Sequence, residues 1–443
     1  MTIHVLKQDM NWRYNMQGLL EFIKKSPTAF HATKECEEML VENGYVKLSE
    51  NTSWKLNTSG KYYITRNMSS IIAFEIPEDI SNLSFNITAA HTDSPTFKLK
   101  PNFTLDKGNY SMLNTEVYGG PIYNTWMDRP LNIAGRIVYK DLSGLKTKLI
   151  SFDKPMAIIP NCCIHYYHEL NKGVQLNPQS DLIPLVSDNK SDLLAIVAKE
   201  LNIDINDIVS HDLFLALLDR GCVGGANNEL IMAPQIDNLE CAYGCLKALL
   251  SSKANKSVNV LALFDNEEIG SRTRQGAASQ MLSDVLERII ISLGMNNEDL
   301  KIALANSFIV SADNAHAYHP NYPQKYDQTN QVHMNKGIVI KNAARGSYTT
   351  DAVSSAYFKS ICDRANAKYQ MNTNRSDIPG GSTLGCISLG NVSIHSIDIG
   401  LAQLSMHSAY ETAGALDLAE LIKALIEFYN THLVVNNDGE LSF

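Results

Sequence analysis

Hydrophobic residues near the start of the chain follow two helical patterns and then a series of strand patterns. Apolar residues recur at helical spacing over residues 16–25, and this helix is predicted to end before Ser26-Pro27, because the residue preceding a proline disfavours helical geometry. A second helix is predicted over residues 31–43. Short β-rich runs follow, and the run at residues 85–90 ends directly at His91.

The pattern changes twice further along the chain. From about residue 92 to residue 225 short strands and turns predominate, and the clearest helix lies near residues 192–201. Beyond residue 237 strands alternate with helices, a pattern typical of a largely parallel sheet covered by helices. The strands are predicted at 258–264, 308–311 and 392–397, and the helices at 277–293, 351–368 and 408–429.

The chain length favours more than one domain. With 443 residues the protein exceeds the size at which one hydrophobic core usually suffices. The patterns predict a mixed, largely parallel α/β sheet flanked by helices, formed by residues 1–92 and 229–443. Residues 93–228 are predicted to be inserted between them as a β-rich domain.

Composition narrows the classes of partner. Hydrophobic residues make up 44% and charged residues 19%, as in ordinary folded proteins. A formal net charge of −9 disfavours nucleic acid or an anionic membrane as the main partner. The N-terminal residues lack the pattern of a secretory signal, and apolar runs stay short of the roughly 20 residues that span a bilayer. We therefore expect a soluble, cytoplasmic protein.

Two of the eight cysteines have a spacing that could hold a metal ion. Cys241 and Cys245 are four residues apart on a predicted helix. A second pair of cysteines or histidines does not accompany them. The favoured interpretation is two small apolar residues on one buried helix face.

Acidic residues and a histidine stand at the ends of several predicted strands. His91 and Asp93 follow the first such strand, and Glu267-Glu268 and Asp313 follow two others, while Asp237 lies where a loop enters a helix. Open α/β sheets bind ligands beyond the carboxyl ends of their strands. These side chains can therefore converge on one site.

Two of these groups favour metal chemistry, and each has a simpler alternative. In His91-x-Asp93 one side chain can bind a metal while the other accepts the imidazole N–H, or the two can form an ordinary polar loop. The adjacent carboxylates of Glu267 and Glu268 repel unless cations or protons offset them. One can bind a metal while its neighbour transfers protons, or both can lie in an exposed acidic turn.

Further residues complete a two-metal set. Asp237 and Asp313 supply additional carboxylates, one of them able to bridge. His407, predicted to open the last helix, can complete the set or can be a satisfied structural histidine. The metal interpretation depends on the whole group, since none of its members carries it alone.

Over almost its whole length the chain resembles the aspartyl aminopeptidase family of co-catalytic zinc metallopeptidases. Seven ordered segments spread over more than 380 residues carry the resemblance, and each one is short. They are residues 26–32, 90–95, 237–239, 266–271, 311–316, 376–383 and 405–408.

The resemblance implies a zinc-peptidase fold and two divalent metal ions, zinc first, with manganese or cobalt also compatible. It implies that His91 and Asp313 bind one ion, that Glu268 and His407 bind the other, and that Asp237 bridges both. Asp93 would orient His91. The family's bridging aspartate is usually followed by a cis peptide, so we expect one between Asp237 and Asn238.

The resemblance also implies the reaction. A metal-dependent aminopeptidase would hydrolyse the N-terminal residue of peptides through a metal-bridging hydroxide, with Glu267 as the general base that later protonates the leaving amine.

The inserted domain resembles the family's dimerisation domain, which implies a homo-oligomer, a dodecamer built from dimers. His165 matches a histidine that reaches a neighbouring subunit's active site; the alternative is a strand histidine buried in the interface. Lys341 matches a lysine that pairs with acidic N-terminal residues of the substrate, with His316 as a pocket wall; the alternative is a surface lysine at a strand end.

Three departures bear on substrate preference. Gln235, Gly380 and Tyr410 stand where the family usually has a basic residue, a cysteine and an arginine. The preference for Asp or Glu therefore stays open beside a broad or neutral-residue aminopeptidase. Two other functions stay open as well: cleavage of another amide, such as an acylated amino acid, and a catalytically quiet assembly or cargo protein of the same fold.

Overall fold

The computed structural model describes residues 2–152, 154–381 and 383–443. Ser382, which belongs to one of the segments that carry the resemblance, lies outside the described residues. The helices, in chain order, are α1 Thr2–Lys25, α2 Ala29–Glu42, α3 Leu193–Leu201, α4 Ile236–Ser251, α5 Met281–Ser292, α6 Asn297–Ala305, α7 Ala352–Ala365, α8 Leu384–Ser388 and α9 Asp417–Asn430.

The strands form one large sheet and smaller ones. In chain order they are β1 Val46–Lys47, β2 Lys61–Arg66, β3 Ser70–Glu75, β4 Ser84–His91, β5 Thr96–Lys107, β6 Tyr110–Tyr118, β7 Leu131–Asp141, β8 Gly144–Ser151, β9 Leu185–Ser187, β10 Ile208–Leu217, β11 Cys222–Gly224, β12 Leu230–Ala233, β13 Ser257–Phe264, β14 Phe308–Ala312, β15 Ala315–His316, β16 Ile338–Asn342, β17 Tyr369–Thr373, β18 His395–Gly400, β19 Ala402–Leu404, β20 Glu411–Gly414, β21 Val434–Asn437 and β22 Glu440–Ser442.

The large sheet has the strand order β1-β2-β3-β13-β4-β14-β18-β16-β17. Its central strands β13, β4, β14 and β18 run parallel, whereas β3 and β16 are antiparallel to their inner neighbours. Every residue of β4, β13 and β14 is buried, as the near-continuous apolar runs of strands covered on both faces require. The predicted mixed, largely parallel sheet is confirmed.

Helices cover both faces of this sheet and enclose two hydrophobic cores. One core joins the sheet to α1, α2, α4, α7 and α9, and it contains Phe22, Phe358 and Phe428. The other joins the opposite face to α5 and α6, with Phe74 and Phe264 at its centre. Among the described helices, none is both long and apolar enough to cross a bilayer.

A six-stranded antiparallel sheet lies within residues 96–217 and has the order β8-β7-β10-β5-β6-β9. It encloses a third core, which includes Phe97, Trp126 and Leu215. This β-rich part falls inside the predicted insertion of residues 93–228. Strands β11 and β12 then lead back to the large sheet through a five-stranded sheet that also contains β15, β19 and β20.

The C-terminal elements differ from the prediction in two places. The last helix begins at Asp417, because the chain first forms an antiparallel pair, β19 with β20. His407 lies in the turn between these strands with a φ of +68°, a left-handed conformation that a helix cannot contain. The strand predicted at 392–397 is β18, His395–Gly400, because Val392 belongs to the turn after α8.

Cys241 and Cys245 are buried free thiols on α4, as the favoured interpretation of their spacing predicted.

Candidate metal centre

The central strands bring the predicted site residues to one edge of the large sheet. His91 is the last residue of β4 and lies opposite Phe264, the last residue of the neighbouring parallel strand β13. Asp313 directly follows β14 on the other side of β4. Glu267 and Glu268 form a short 3-10 turn just after β13. The convergence expected at the carboxyl ends of these strands is present.

Asp237 lies between two pairs of possible metal ligands. Its Oδ1 is 3.5 Å from Nε2 of His91, and that nitrogen is 3.7 Å from Oδ1 of Asp313. Its Oδ2 is 3.5 Å from Nε2 of His407, and that nitrogen is 3.4 Å from Oε2 of Glu268. Each carboxylate oxygen of Asp237 therefore faces a different histidine.

The backbone at the start of α4 departs from helical geometry so that Asp237 can reach this position. Asp237 has φ −79° and ψ 106°, and the expected cis peptide to Asn238 is present. The hydroxyl of Ser94 donates to the Asp237 carbonyl at 2.8 Å, and the Asn238 amide donates to the carbonyl of Ala312 at 2.9 Å. These hydrogen bonds tie the turn to the ends of β4 and β14.

Backbone carbonyls orient both histidines. Nδ1 of His91 lies 3.0 Å from the Asp93 carbonyl oxygen, and Nδ1 of His407 lies 3.1 Å from that of Gly120. Because a carbonyl only accepts, Nδ1 of each ring donates to it, and Nε2 is the nitrogen that faces the carboxylates, where a metal ion would bind.

The Asp93 carboxylate holds the Glu267-Glu268 turn. Its Oδ1 accepts the N–H of Glu267 at 3.1 Å, and its Oδ2 accepts the N–H of Glu268 at 3.2 Å. The resemblance implies that Asp93 orients His91. In the structure the backbone carbonyl of Asp93 makes the closer contact with Nδ1 of His91, and the carboxylate Oδ1 of Asp93 lies 3.4 Å from that nitrogen. Asp93 thus contacts both halves of the centre.

Sequence reasoning missed Glu411, although it belongs to the same cluster. Its buried carboxylate accepts the backbone N–H of Asp237 at 3.0 Å and that of His407 at 2.7 Å. The sequence does contain a signal for it, since Glu411 is the one charged residue in the run of small side chains Glu411-Thr412-Ala413-Gly414-Ala415. Tyr118 and Gly120, which come from the six-stranded sheet, were missed because nothing local links them to the other residues.

The electrostatics of the cluster favour a cation. Burial, then Asp313 and Asp93, raises the pKa of Glu267 to about 7, although His91 opposes the shift. Burial and Asp237 raise the pKa of Glu268 well above its ordinary range. Closely packed carboxylates of this kind need positive charge beside them to stay ionised together.

Unpartnered oxygens identify where a metal ion fits. Oδ1 of Asp237 and Oε1 of Glu268 are buried and have no hydrogen-bond partner among the described residues. Ligand atoms of His91, Asp237 and Glu268 lie within 4.8 Å of one another. Imidazole and carboxylate donors suit zinc, and also manganese or cobalt.

The three remaining predicted residues lie in different surroundings. Lys341, on β16, is buried, with its Nζ 3.7 Å from Oδ2 of Asp313. His316, at the end of β15, has solvent-exposed surface, but the protein packed around it desolvates the ring, and this together with the charge of Lys341 lowers its pKa. His165 is exposed in a turn of the inserted β-rich part.

The α/β fold, with imidazole and carboxylate groups converging at one edge of its sheet, is that of a zinc metallopeptidase class of protein. A family model described as aminopeptidase I zinc metalloprotease (M18) matches residues 22–429. The chain belongs to this M18 family.

Relatives and solved structures agree with this assignment. A protein of Clostridium novyi named probable M18 family aminopeptidase 2 is 47% identical over 93% of this chain and 98% of its own length. A chain in the structure of the Ape4 and Nbr1 complex is 34% identical, with a TM-score of 0.91 over 95% of this chain and 86% of that one. The S. cerevisiae mApe1 dodecamer is 28% identical, with a TM-score of 0.81 over 94% and 97%.

Proposed function

We propose that this protein removes the N-terminal residue from peptides with two zinc ions in each subunit. His91 and Asp313 would hold one ion, Glu268 and His407 the other, and Asp237 would bridge them. The proposal rests on the position of the Asp237 carboxylate. Its Oδ1 lies 3.5 Å from Nε2 of His91, and its Oδ2 lies 3.5 Å from Nε2 of His407. When bound, the ions would polarise the scissile carbonyl and lower the pKa of water.

Glu267 is the proposed general base. Its backbone is fixed by Asp93 while its side chain is only partly buried, so it can meet both a water molecule and a peptide. Glu267 would take the proton of the attacking water and return it to the leaving amine. Its neighbour Glu268, with 5% of its side chain exposed, faces His407 instead and is suited to hold an ion.

Lys341 and His316 are the proposed determinants of a preference for Asp or Glu at the substrate's N-terminus. Lys341 is a buried cation next to the proposed ligand Asp313, and a substrate carboxylate beside it would be poorly hydrated. A charge pair formed away from water discriminates strongly against neutral side chains. A broad or neutral-residue preference is the alternative.

We further propose a cytoplasmic homo-oligomer built from dimers, with residues 93–228 as the dimerisation domain and His165 entering the partner's active site. Two observations support this proposal. The turn that carries His165 exposes Ile164 and Tyr166, the latter to 89%. The similar S. cerevisiae protein is described as a dodecamer.

The substitution Glu267→Gln tests the reaction. We expect turnover of aspartyl and leucyl peptides to fall about 10²- to 10⁴-fold while the zinc content stays the same, because only the proton acceptor is lost. Glu287→Gln, at an exposed position on α5, is the matched control and should leave turnover unchanged. Near-normal turnover of the Glu267 variant with its metal retained would refute the mechanism.

The same assay of the wild-type protein separates the enzyme from a catalytically quiet assembly protein. The quiet alternative requires no turnover of any peptide by the zinc-loaded wild type. Inclusion of acylated amino acids in the substrate panel distinguishes cleavage of other amides.

A further inference from the structure

The inserted β-rich part of the chain contacts the metal centre of its own subunit through three consecutive residues. Tyr118 ends strand β6, and Gly119 and Gly120 follow it. We propose that these residues, the Tyr118–Gly120 segment, position Asp93, Glu268 and His407 and so set zinc binding on one side of Asp237. This inference rests on the proposed two-metal function.

Tyr118 fixes the carboxylate that holds the Glu267-Glu268 turn. Its hydroxyl donates to Oδ2 of Asp93 at 2.8 Å and accepts from the Asn266 amide at 2.8 Å. The ring is held from the inserted sheet, where it packs edge-on against Phe214 with 5.6 Å between ring centroids. The position of Asp93 therefore depends on a residue of the six-stranded sheet.

Gly119 packs directly against a proposed zinc ligand. It has a φ of +71°, and an added Cβ would lie 3.1 Å from Cβ of Glu268 and 3.4 Å from its Oε2. A contact of 3.1 Å is tighter than carbon atoms normally allow, so Glu268 would have to move by a few tenths of an ångström. Because Gly119 has no side chain, Glu268 has room for its observed position.

Gly120 and the residues after it hold His407. The Gly120 carbonyl accepts from Nδ1 of His407 at 3.1 Å, and the N–H of Ile122 donates to the His407 carbonyl at 2.9 Å. His407 has a left-handed backbone in a half-buried turn, and these contacts add to the hydrogen bond from its N–H to Glu411 in orienting it. Residues that orient metal ligands commonly change affinity or activity about 10- to 100-fold when they are replaced.

The contacts fall unevenly on the two proposed zinc sites. Glu268 and His407, which would share one ion, both touch the Tyr118–Gly120 segment. Asp313, on the other side of Asp237, is held next to β18, where its N–H donates to the Ile399 carbonyl at 2.9 Å. A defect at Gly119 or Gly120 should therefore weaken one ion more than the other, whereas Tyr118 acts through Asp93, which also contacts His91.

The substitution Gly119→Ala has a matched control in the same part of the chain. Gly108, in the turn between β5 and β6, has a φ of +62°, and an added Cβ there meets no atom within 4 Å. Both variants carry the backbone strain of a left-handed alanine, but only Gly119→Ala presses on Glu268. Zinc stoichiometry and zinc affinity in competition with a chelator are measured on the intact oligomer, and melting of the apo-proteins reports folding.

We expect Gly119→Ala to lose about 10-fold or more in affinity for one of two zinc ions, and Gly108→Ala to keep wild-type affinity for both. Tyr118→Phe should lower kcat about 10-fold with KM within about twofold, since its hydroxyl contacts Asp93 and Asn266 and not the proposed substrate-binding residues Lys341 and His316. Tyr110→Phe, at an exposed position at the start of β6, should match the wild type.

Wild-type zinc affinity in Gly119→Ala, together with wild-type kcat in Tyr118→Phe, would overturn this inference and leave the two-metal enzyme intact. A wild-type protein that binds fewer than two zinc ions would instead overturn the proposed function.

Discussion

Lys341 stands close to the proposed metal ligand Asp313 and to the ring of Tyr348. Its Nζ lies 3.7 Å from Oδ2 of Asp313 and 5.5 Å from the ring centroid of Tyr348. Although burial opposes its charge, Asp313 and other nearby groups keep its pKa above the ordinary value. Lys341 is therefore a cation that can pair with a second carboxylate.

The substitution Lys341→Leu tests the acidic preference. We expect kcat/KM for an aspartyl peptide to fall about 10- to 100-fold, because an unpaired carboxylate would have to be buried, and kcat/KM for a leucyl peptide to fall far less. Lys336→Leu, exposed just before β16, should change neither value. Equal losses on both substrates would give Lys341 the role of supporting Asp313 only.

His31 predicts a pH dependence of stability that is separate from the metal centre. Burial lowers its pKa from 6.5 to about 4, with help from the charges of Lys34 and Arg220. Because the folded pKa lies below the unfolded one, the unfolded chain binds more protons between about pH 6.5 and 4, and stability falls as pH drops through that window.

His31→Asn removes this titration and retains a polar group near Thr28, whose hydroxyl lies 2.8 Å from Nδ1 of His31. We expect the melting temperature of the variant relative to the wild type to rise as pH is lowered from 7 to 4.5. The comparison cancels the other titrating groups, since both proteins share them. A difference in melting temperature that is constant with pH would contradict the assignment.

Secondary-structure elements account for the parts of the site that the sequence predicts well. His91, Asp313 and Glu267-Glu268 each follow a buried strand, and parallel strands place such residues at one edge. The hydrophobic runs of β4, β13 and β14 are continuous, so their ends are easy to locate. The local hydrophobic pattern is therefore sufficient to predict where these residues lie in the fold.

The elements that the sequence did not predict depend on contacts between distant residues. The sequence predicts the start of a helix where β20 lies, because this strand is short and the turn before it is held by Glu411, which accepts from the His407 N–H. Tyr118 contacts Asn266, which lies 148 positions away. Periodicity and turn signals describe neighbours in sequence and contain no information about such pairs.

At the scale of the molecule, the inserted part separates His91 from Asp237 in sequence while the two remain 3.5 Å apart in space. Helix α4 packs on one face of the large sheet, in the same hydrophobic core as β4. The inserted sheet has its own core and presents the His165 turn to solvent. The exposed turn is where the proposed dimerisation domain would contact a partner subunit.

A mixed oligomer tests whether His165 acts in the partner's active site. His165→Ala subunits keep their Glu267, and Glu267→Gln subunits keep their His165, so a mixed dimer contains one complete site only if the histidine crosses between subunits. We expect co-expressed, doubly tagged oligomers to be clearly more active than either parent.

Activity of the mixture that equals the average of the parents would place His165 outside the partner's site. Co-expression of His211→Ala with Glu267→Gln is a suitable control, because His211 lies on β10 and packs against Phe103 of its own subunit.

The Tyr118–Gly120 segment also limits how this chain can be rebuilt. An engineer who excised the six-stranded sheet to make a compact monomeric peptidase would join the chain near Ser94 and Asp237, which are hydrogen-bonded to each other. The shortened protein would lose the hydroxyl that supports Asp93 and the carbonyl that steers His407. A shortened peptidase must therefore replace these two contacts, even if it does not have to form an oligomer.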